Sequence, residues 1–142
     1  RNGEWLDPEL ARPGVSAVNA VTGEVLWSHV QENVCGEGRP FCDPGVSAAI
    51  TATDGAVIAG HLDGIIRIYD RDSGEIIWSY NTTAPVTGTN GVIARGGGMS
   101  GSGPALGAGH MVINSGYGLY NHEAGNALLV FAPKASGSVS AR

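Results

Sequence analysis

One eleven-residue segment occurs twice in this chain, and its recurrence constrains the fold more than any other feature. Val18-Asn19-Ala20-Val21-Thr22-Gly23-Glu24-Val25-Leu26-Trp27-Ser28 aligns without gaps with Tyr69-Asp70-Arg71-Asp72-Ser73-Gly74-Glu75-Ile76-Ile77-Trp78-Ser79, so glycine, glutamate, tryptophan and serine return 51 positions on. A β-branched or leucine pair precedes each tryptophan. Self-similarity at a fixed period marks an array of small units, each burying its apolar faces against its neighbours.

The residues before the second copy supply the rest of the unit. Ser47 to Ala52 is a run of small and β-branched residues ended by Asp54-Gly55, and Ala56 to Gly60 is a short apolar strand ended by Asp63-Gly64. Ile65 to Tyr69 alternates as far as Ser73-Gly74, and Glu75 to Tyr80 completes the set. Asp-Gly and Ser-Gly between apolar runs signal hairpins, because their tight turns need residues that tolerate φ > 0. The 23 glycines suit this pattern and penalise helix. The expectation is all-β: four antiparallel strands, A to D, over 47–80, which is one blade of a β-propeller.

Partial units flank that blade. Residues 15–30 hold strands C and D of an earlier blade. Residues 101–137 hold an incomplete last one, with His110 to Asn114 as strand B, Ala127 to Ala132 as strand C and Ser136-Gly137 at the C–D turn. About two and a half blades cannot close a ring, so the remaining blades are expected as partners and the segment alone as unstable. The missing last strand and the start at Arg1 suggest the C-terminal piece of a longer protein. Residues 1–13 fit no unit, Trp5 included.

The charge excludes some partners. With net charge −5 and eight scattered Lys and Arg, the chain has no basic patch for nucleic acid or anionic membranes. No apolar run approaches the length of a membrane span.

Asp63 to Trp78, with the pattern Asp-Gly-x-x-x-x-Tyr-Asp-x-x-Ser-Gly-Glu-x-x-Trp, resembles the tryptophan-docking repeat of pyrroloquinoline-quinone (PQQ) propellers. The Trp-Asp pair of WD-type repeats and the glycine doublet of kelch repeats are absent. Further motifs are similar to the C-terminal blades of polyvinyl-alcohol dehydrogenases. They are Cys42-Asp43-Pro44 with Ser47-Ala48-Ala49, Asn90-Gly91-Val92, Gly96-Gly97-Gly98, Gly103-Pro104, Asn114-Ser115-Gly116-Tyr117-Gly118, and Gly125-Asn126-Ala127-Leu128-Leu129-Val130-Phe131. The resemblance implies an eight-bladed ring in a bacterial, periplasmic or secreted quinoprotein that oxidises secondary alcohols with PQQ and Ca²⁺. It also implies cytochrome c as an electron acceptor and, in a portion not present here, a c-type haem. By the same token, Trp27 and Trp78 would dock against the next blade.

Topology indicates where chemistry would sit. In an up-and-down blade the D–A and B–C connections share one face. The long connections, about 31–46, 81–100 and 115–126, are all of these kinds, and long loops on a rigid scaffold concentrate binding residues. The candidate cofactor-binding residues there are Arg95, Asn90, Gly97, Gly98, Asn114 and Tyr117, with Asn121 and His122 also in reach. Arg95 leads, because a guanidinium pairs with a carboxylate in a bidentate way and the adjacent Gly96-Gly97-Gly98 leaves backbone bare for close approach. Asparagine oxygens suit Ca²⁺, yet they also cap loops. No catalytic base and no metal ligand set is identified.

Cys35 and Cys42 frame a Gly- and Pro-containing stretch; a structural disulfide is expected, with a metal or redox pair as the alternative. His29 and His61 are expected to be structural histidines, and Asp63 and Asp70 turn or strand-end residues. Asn81-Thr82-Thr83 has the form of a glycosylation acceptor, discounted in a bacterial-looking protein. Two non-enzymatic readings stay open: a protein-assembly scaffold, and a polymer-binding propeller using Tyr117 and Tyr120.

Overall fold

The computed structural model describes residues 12–118 and 120–134. Within these residues eleven short strands form four antiparallel sheets. β1 (Gly14–Val18) pairs with β2 (Val25–Val30). β3 (Thr51–Ala52), β4 (Ala56–Gly60), β5 (Ile65–Asp70) and β6 (Ile76–Asn81) follow in sequential order as one four-stranded blade. β7 (Val86–Thr87) and β8 (Ile93–Ala94) make a small hairpin inside the long D–A connection. β9 (Ala105–Gly107), β10 (His110–Ser115) and β11 (Ala127–Phe131) form the third blade.

The repeat is reproduced atom by atom at the C–D turns. Asn19 Oδ1 accepts the Val21 and Thr22 N–H groups, and Asp70 Oδ1 accepts those of Asp72 and Ser73. Gly23 and Gly74 sit at φ 75° and 74°, a region that favours glycine. A register shift lies at Ala17/Val18 in one blade and at the equivalent Ile68/Tyr69 in the next. Trp27 then reaches across: its Nε1 donates to Arg71 O at 2.7 Å and its ring lies on Gly74, where a Cβ would come within 2.5 Å of it. Trp78 packs against Tyr80 and Phe131. The Ser136-Gly137 turn expected beside it lies outside the described residues.

Alternation divides the middle blade between two cores. Val57, Ala59 and Tyr69 face Val15 and Trp27 of the first blade, while Ile58 and Ile66 face Met111 and Ile113 of the third and Met99 of the connection that leads to it. This period of two gives both faces of one sheet an apolar lining, as a stacked blade requires. Leu128 and Val130 on the third blade, and Val18 and Leu26 on the first, are more than half exposed.

Strand A proves shorter than the expected Ser47 to Ala52. The Ala49 N–H donates to Gly101 O, and Gly103 packs on the Ala49 carbonyl, so this backbone is engaged by the third blade's entry segment instead of the ladder. Among the described residues no helix is long and apolar enough to cross a membrane.

Candidate functional site

The three long connections meet. β2 leads into the 31–46 loop, β6 and the β7–β8 hairpin into 95–100, and β10 into 115–126. The Glu123 N–H donates to Phe41 O at 2.9 Å, and the Gly98 N–H donates to Glu123 O at 2.8 Å. The Glu123 carboxylate takes one guanidinium on each oxygen, Arg39 Nη2 on Oε2 at 2.5 Å and Arg95 Nη2 on Oε1 at 3.0 Å. Arg39 Nη2 also donates to Asp63 O at 2.8 Å. Between these groups lies an open cleft of about 490 Å³ lined by Glu37, Arg39, Phe41, Arg95, Glu123 and Ala124.

A disulfide between Cys35 and Cys42 holds the stretch that carries Glu37, Arg39 and Phe41. Closing so short a loop removes about 2–3 kcal/mol of unfolded-chain entropy on the loop-closure account. Phe41 keeps φ 63°, uncommon for a bulky residue, with its carbonyl fixed by Glu123. The expected pairing of the two cysteines is therefore what the fold contains.

Beneath the cleft runs a buried polar network. Asp63, with no exposed surface, accepts from both Arg67 nitrogens at 3.2 and 2.8 Å, from Gln31 Nε2 at 2.6 Å and from the Ile65 N–H at 2.9 Å. Gln31 Oε1 accepts the Gly45 N–H at 3.0 Å and faces His61 Nδ1 at 2.5 Å. His61 Nδ1 must therefore carry the proton, and Nε2 accepts from the Tyr69 hydroxyl at 3.0 Å. Burial, and then the Arg67 charge, lower the His61 pKa from 6.5 to about 4, while burial raises that of Tyr69 to about 12. The expected structural role of His61 fits this arrangement.

The lowered histidine pKa fixes a sign. Between pH 6.5 and about 4 the unfolded chain binds a proton at His61 that the folded chain refuses. Stability is then full above pH 6.5 and falls as pH drops through that window, by on the order of 3 kcal/mol in total. Denaturant midpoints measured from pH 7 to 5 should show this slope, and His61→Gln should flatten it. A slope unchanged by the substitution would assign the effect to another group.

The candidate residues separate on inspection. Arg95 lines the cleft, its backbone pinned by Asn126 through N–H to Oδ1 at 3.0 Å and carbonyl to N–H at 2.8 Å. Asn90 is exposed in the β7–β8 turn, where its Oδ1 accepts the Val92 N–H. Asn114 and Tyr117 are exposed, and neither lines the cleft. Gly97 and Gly98 are buried against protein: a Cβ on Gly97 would meet Glu123 O at 2.2 Å, and one on Gly98 the His122 Cβ at 3.0 Å. Gly96 likewise fits under Thr82 and Ser115. The bare backbone thus receives neighbouring loops. His122 is half-buried, 3.6 Å from Asp43, and Asn121 is exposed at φ 60°.

Two cleft residues, Arg39 and Glu123, had no local signal, since their partners lie 84 and 28 positions away. Among the described residues no group of three or more His, Cys, Asp or Glu converges as a cation site.

Comparison with known proteins follows the repeat. The PQQ-repeat family described as outer membrane protein assembly factor BamB matches residues 10–137. A polyvinylalcohol dehydrogenase of Pseudomonas sp is 34% identical over 85% of this chain and 20% of its own length, and that of Sphingopyxis sp. (strain 113P3) is 37% identical over 82% and 18%. The quinohemoprotein alcohol dehydrogenase ADH IIB of Pseudomonas putida is 34% identical over 50% of this chain and 10% of its own. The chain thus spans about a fifth of the length of the first two relatives. With the family match spanning residues 10–137, the chain belongs to the PQQ-type β-propeller repeat family.

Proposed function

We propose that this chain is part, and specifically a C-terminal part, of a PQQ-dependent quinoprotein that oxidises secondary alcohols in the manner of the polyvinylalcohol dehydrogenases. One structural observation carries the reading: three long loops converge on a cleft that offers a half-exposed arginine. Arg95 commits only Nη2 to Glu123, which leaves donors suited to a carboxylate of the cofactor. When bound, PQQ supplies the two-electron acceptor for hydride from the alcohol carbon. Arg95 binds and orients; Glu123 and Arg39 hold the loops around it. The disulfide supports an oxidising compartment such as the periplasm. Cytochrome c and a haem-bearing portion belong to the parent as further proposals.

The test uses the full-length parent. PQQ with Ca²⁺ is added, and dye reduction is followed with secondary alcohols. Arg95→Ala should weaken quinone binding tenfold or more without moving the melting temperature; equal loss of both would make Arg95 structural. Failure of the intact ring to bind PQQ would leave the assembly-scaffold reading, which rests on the family's description.

A further inference from the structure

Glu123 follows His122 in the 115–126 loop and attaches it to both of the other long loops. Its backbone bonds Phe41 and Gly98, and its carboxylate bonds Arg39 and Arg95. The carboxylate is buried, at 9% exposure, whereas the Arg95 side chain is 53% exposed. The Arg95 backbone is already fixed by Asn126 on both its N–H and its carbonyl. What the Glu123 carboxylate adds to Arg95 is therefore confined to that side chain: it selects one direction for a group that otherwise samples many rotamers. Arg39 occupies the other oxygen and is itself anchored on Asp63 O, so the carboxylate cannot swing to follow Arg95.

We propose that Glu123 is a positioning residue that pre-orders the Arg95 guanidinium over the cleft for a carboxylate-bearing ligand. The inference rests on the quinoprotein reading. Pre-ordering lowers the entropy lost when the ligand binds, so its removal appears as weaker affinity. A charge change alone would confuse the outcome, since losing the carboxylate also makes the cleft more positive. Glu123→Asp avoids this, because it keeps the charge and withdraws the oxygens by one methylene.

The experiment measures PQQ affinity of the full-length apo-protein by equilibrium dialysis for the wild type, E123D, R95A and E123D/R95A. E123D should weaken binding about tenfold, equivalent to about 1.4 kcal/mol. In the R95A background the same change should do nothing further, since no guanidinium remains to be positioned. Equal losses in both backgrounds, or no loss in E123D, would overturn the proposal. Should E123D fail to fold, E123Q replaces it in the same cycle; its change of charge acts in both backgrounds, so the loss should be larger by about tenfold with Arg95 present than in R95A, and an equal effect in the two overturns the proposal. A parent that binds PQQ but ignores R95A overturns the proposal and leaves the quinoprotein reading standing. A parent that binds no PQQ overturns both.

Discussion

Asp63→Ala is expected to cost the parent protein about 3–5 kcal/mol of stability, the range for stripping a buried charge of its partner. Asp63 has no exposed surface, and Arg67 is 7% exposed, so water has little access to the guanidinium left behind. Gln31 Nε2 and the Ile65 N–H would lose their acceptor as well. Asp63→Leu with Arg67→Met should cost far less than Asp63→Ala alone, because it removes both charges and keeps volume. Urea denaturation of the three proteins decides the matter. A loss under about 1 kcal/mol for Asp63→Ala would show that water penetrates the network.

Trp27→Ala is expected to cost about 3 kcal/mol, near the low end for large aromatics because Trp27 is only partly buried. Three contacts disappear together: the hydrogen bond to Arg71 O, the stack on Tyr69 at 6.4 Å between ring centroids, and the cover over Gly74. Trp27→Phe keeps a ring over the glycine and should lose about 1 kcal/mol for the hydrogen bond. Gly74→Ala tests the contact from the other side. It should be costly in the wild type and cheaper in the Trp27→Ala background, where only the φ of 74° still opposes a side chain. Additive losses would mean that ring and glycine do not share one contact.

Much of the fold was legible because its signals are local. Thr22-Gly23 and Ser73-Gly74 mark turns that adjacent residues build, and the Trp27–Trp78 spacing counts the blades directly. β4 falls on Ala56–Gly60 as its composition indicates. The β7–β8 hairpin was hidden inside an expected loop, because its two-residue strands are too short to show alternation. The same holds for β9, which lies between glycines.

The site was legible only as a face. Connection lengths alone placed the three loops on one side, where they do converge. Which residues meet there depends on pairs such as Arg39 with Glu123 and Gln31 with Asp63, far apart in sequence and free of any spacing rule. The Gly96-Gly97-Gly98 run suggested bare backbone open to a ligand, but the atoms that come close to it are those of neighbouring protein backbone and side chains.

The tryptophan laid over glycine also gives the stack a direction. At this joint the first blade supplies the reaching side, with Trp27, and the second the receiving side, with the Gly74 turn, and the two differ. Such head-to-tail contacts either close into a ring or run on as an open helix. They cannot pair a unit with its own mirror face. A unit gained or lost by gene duplication therefore preserves the joint only if reaching side and receiving side travel together, in the same order.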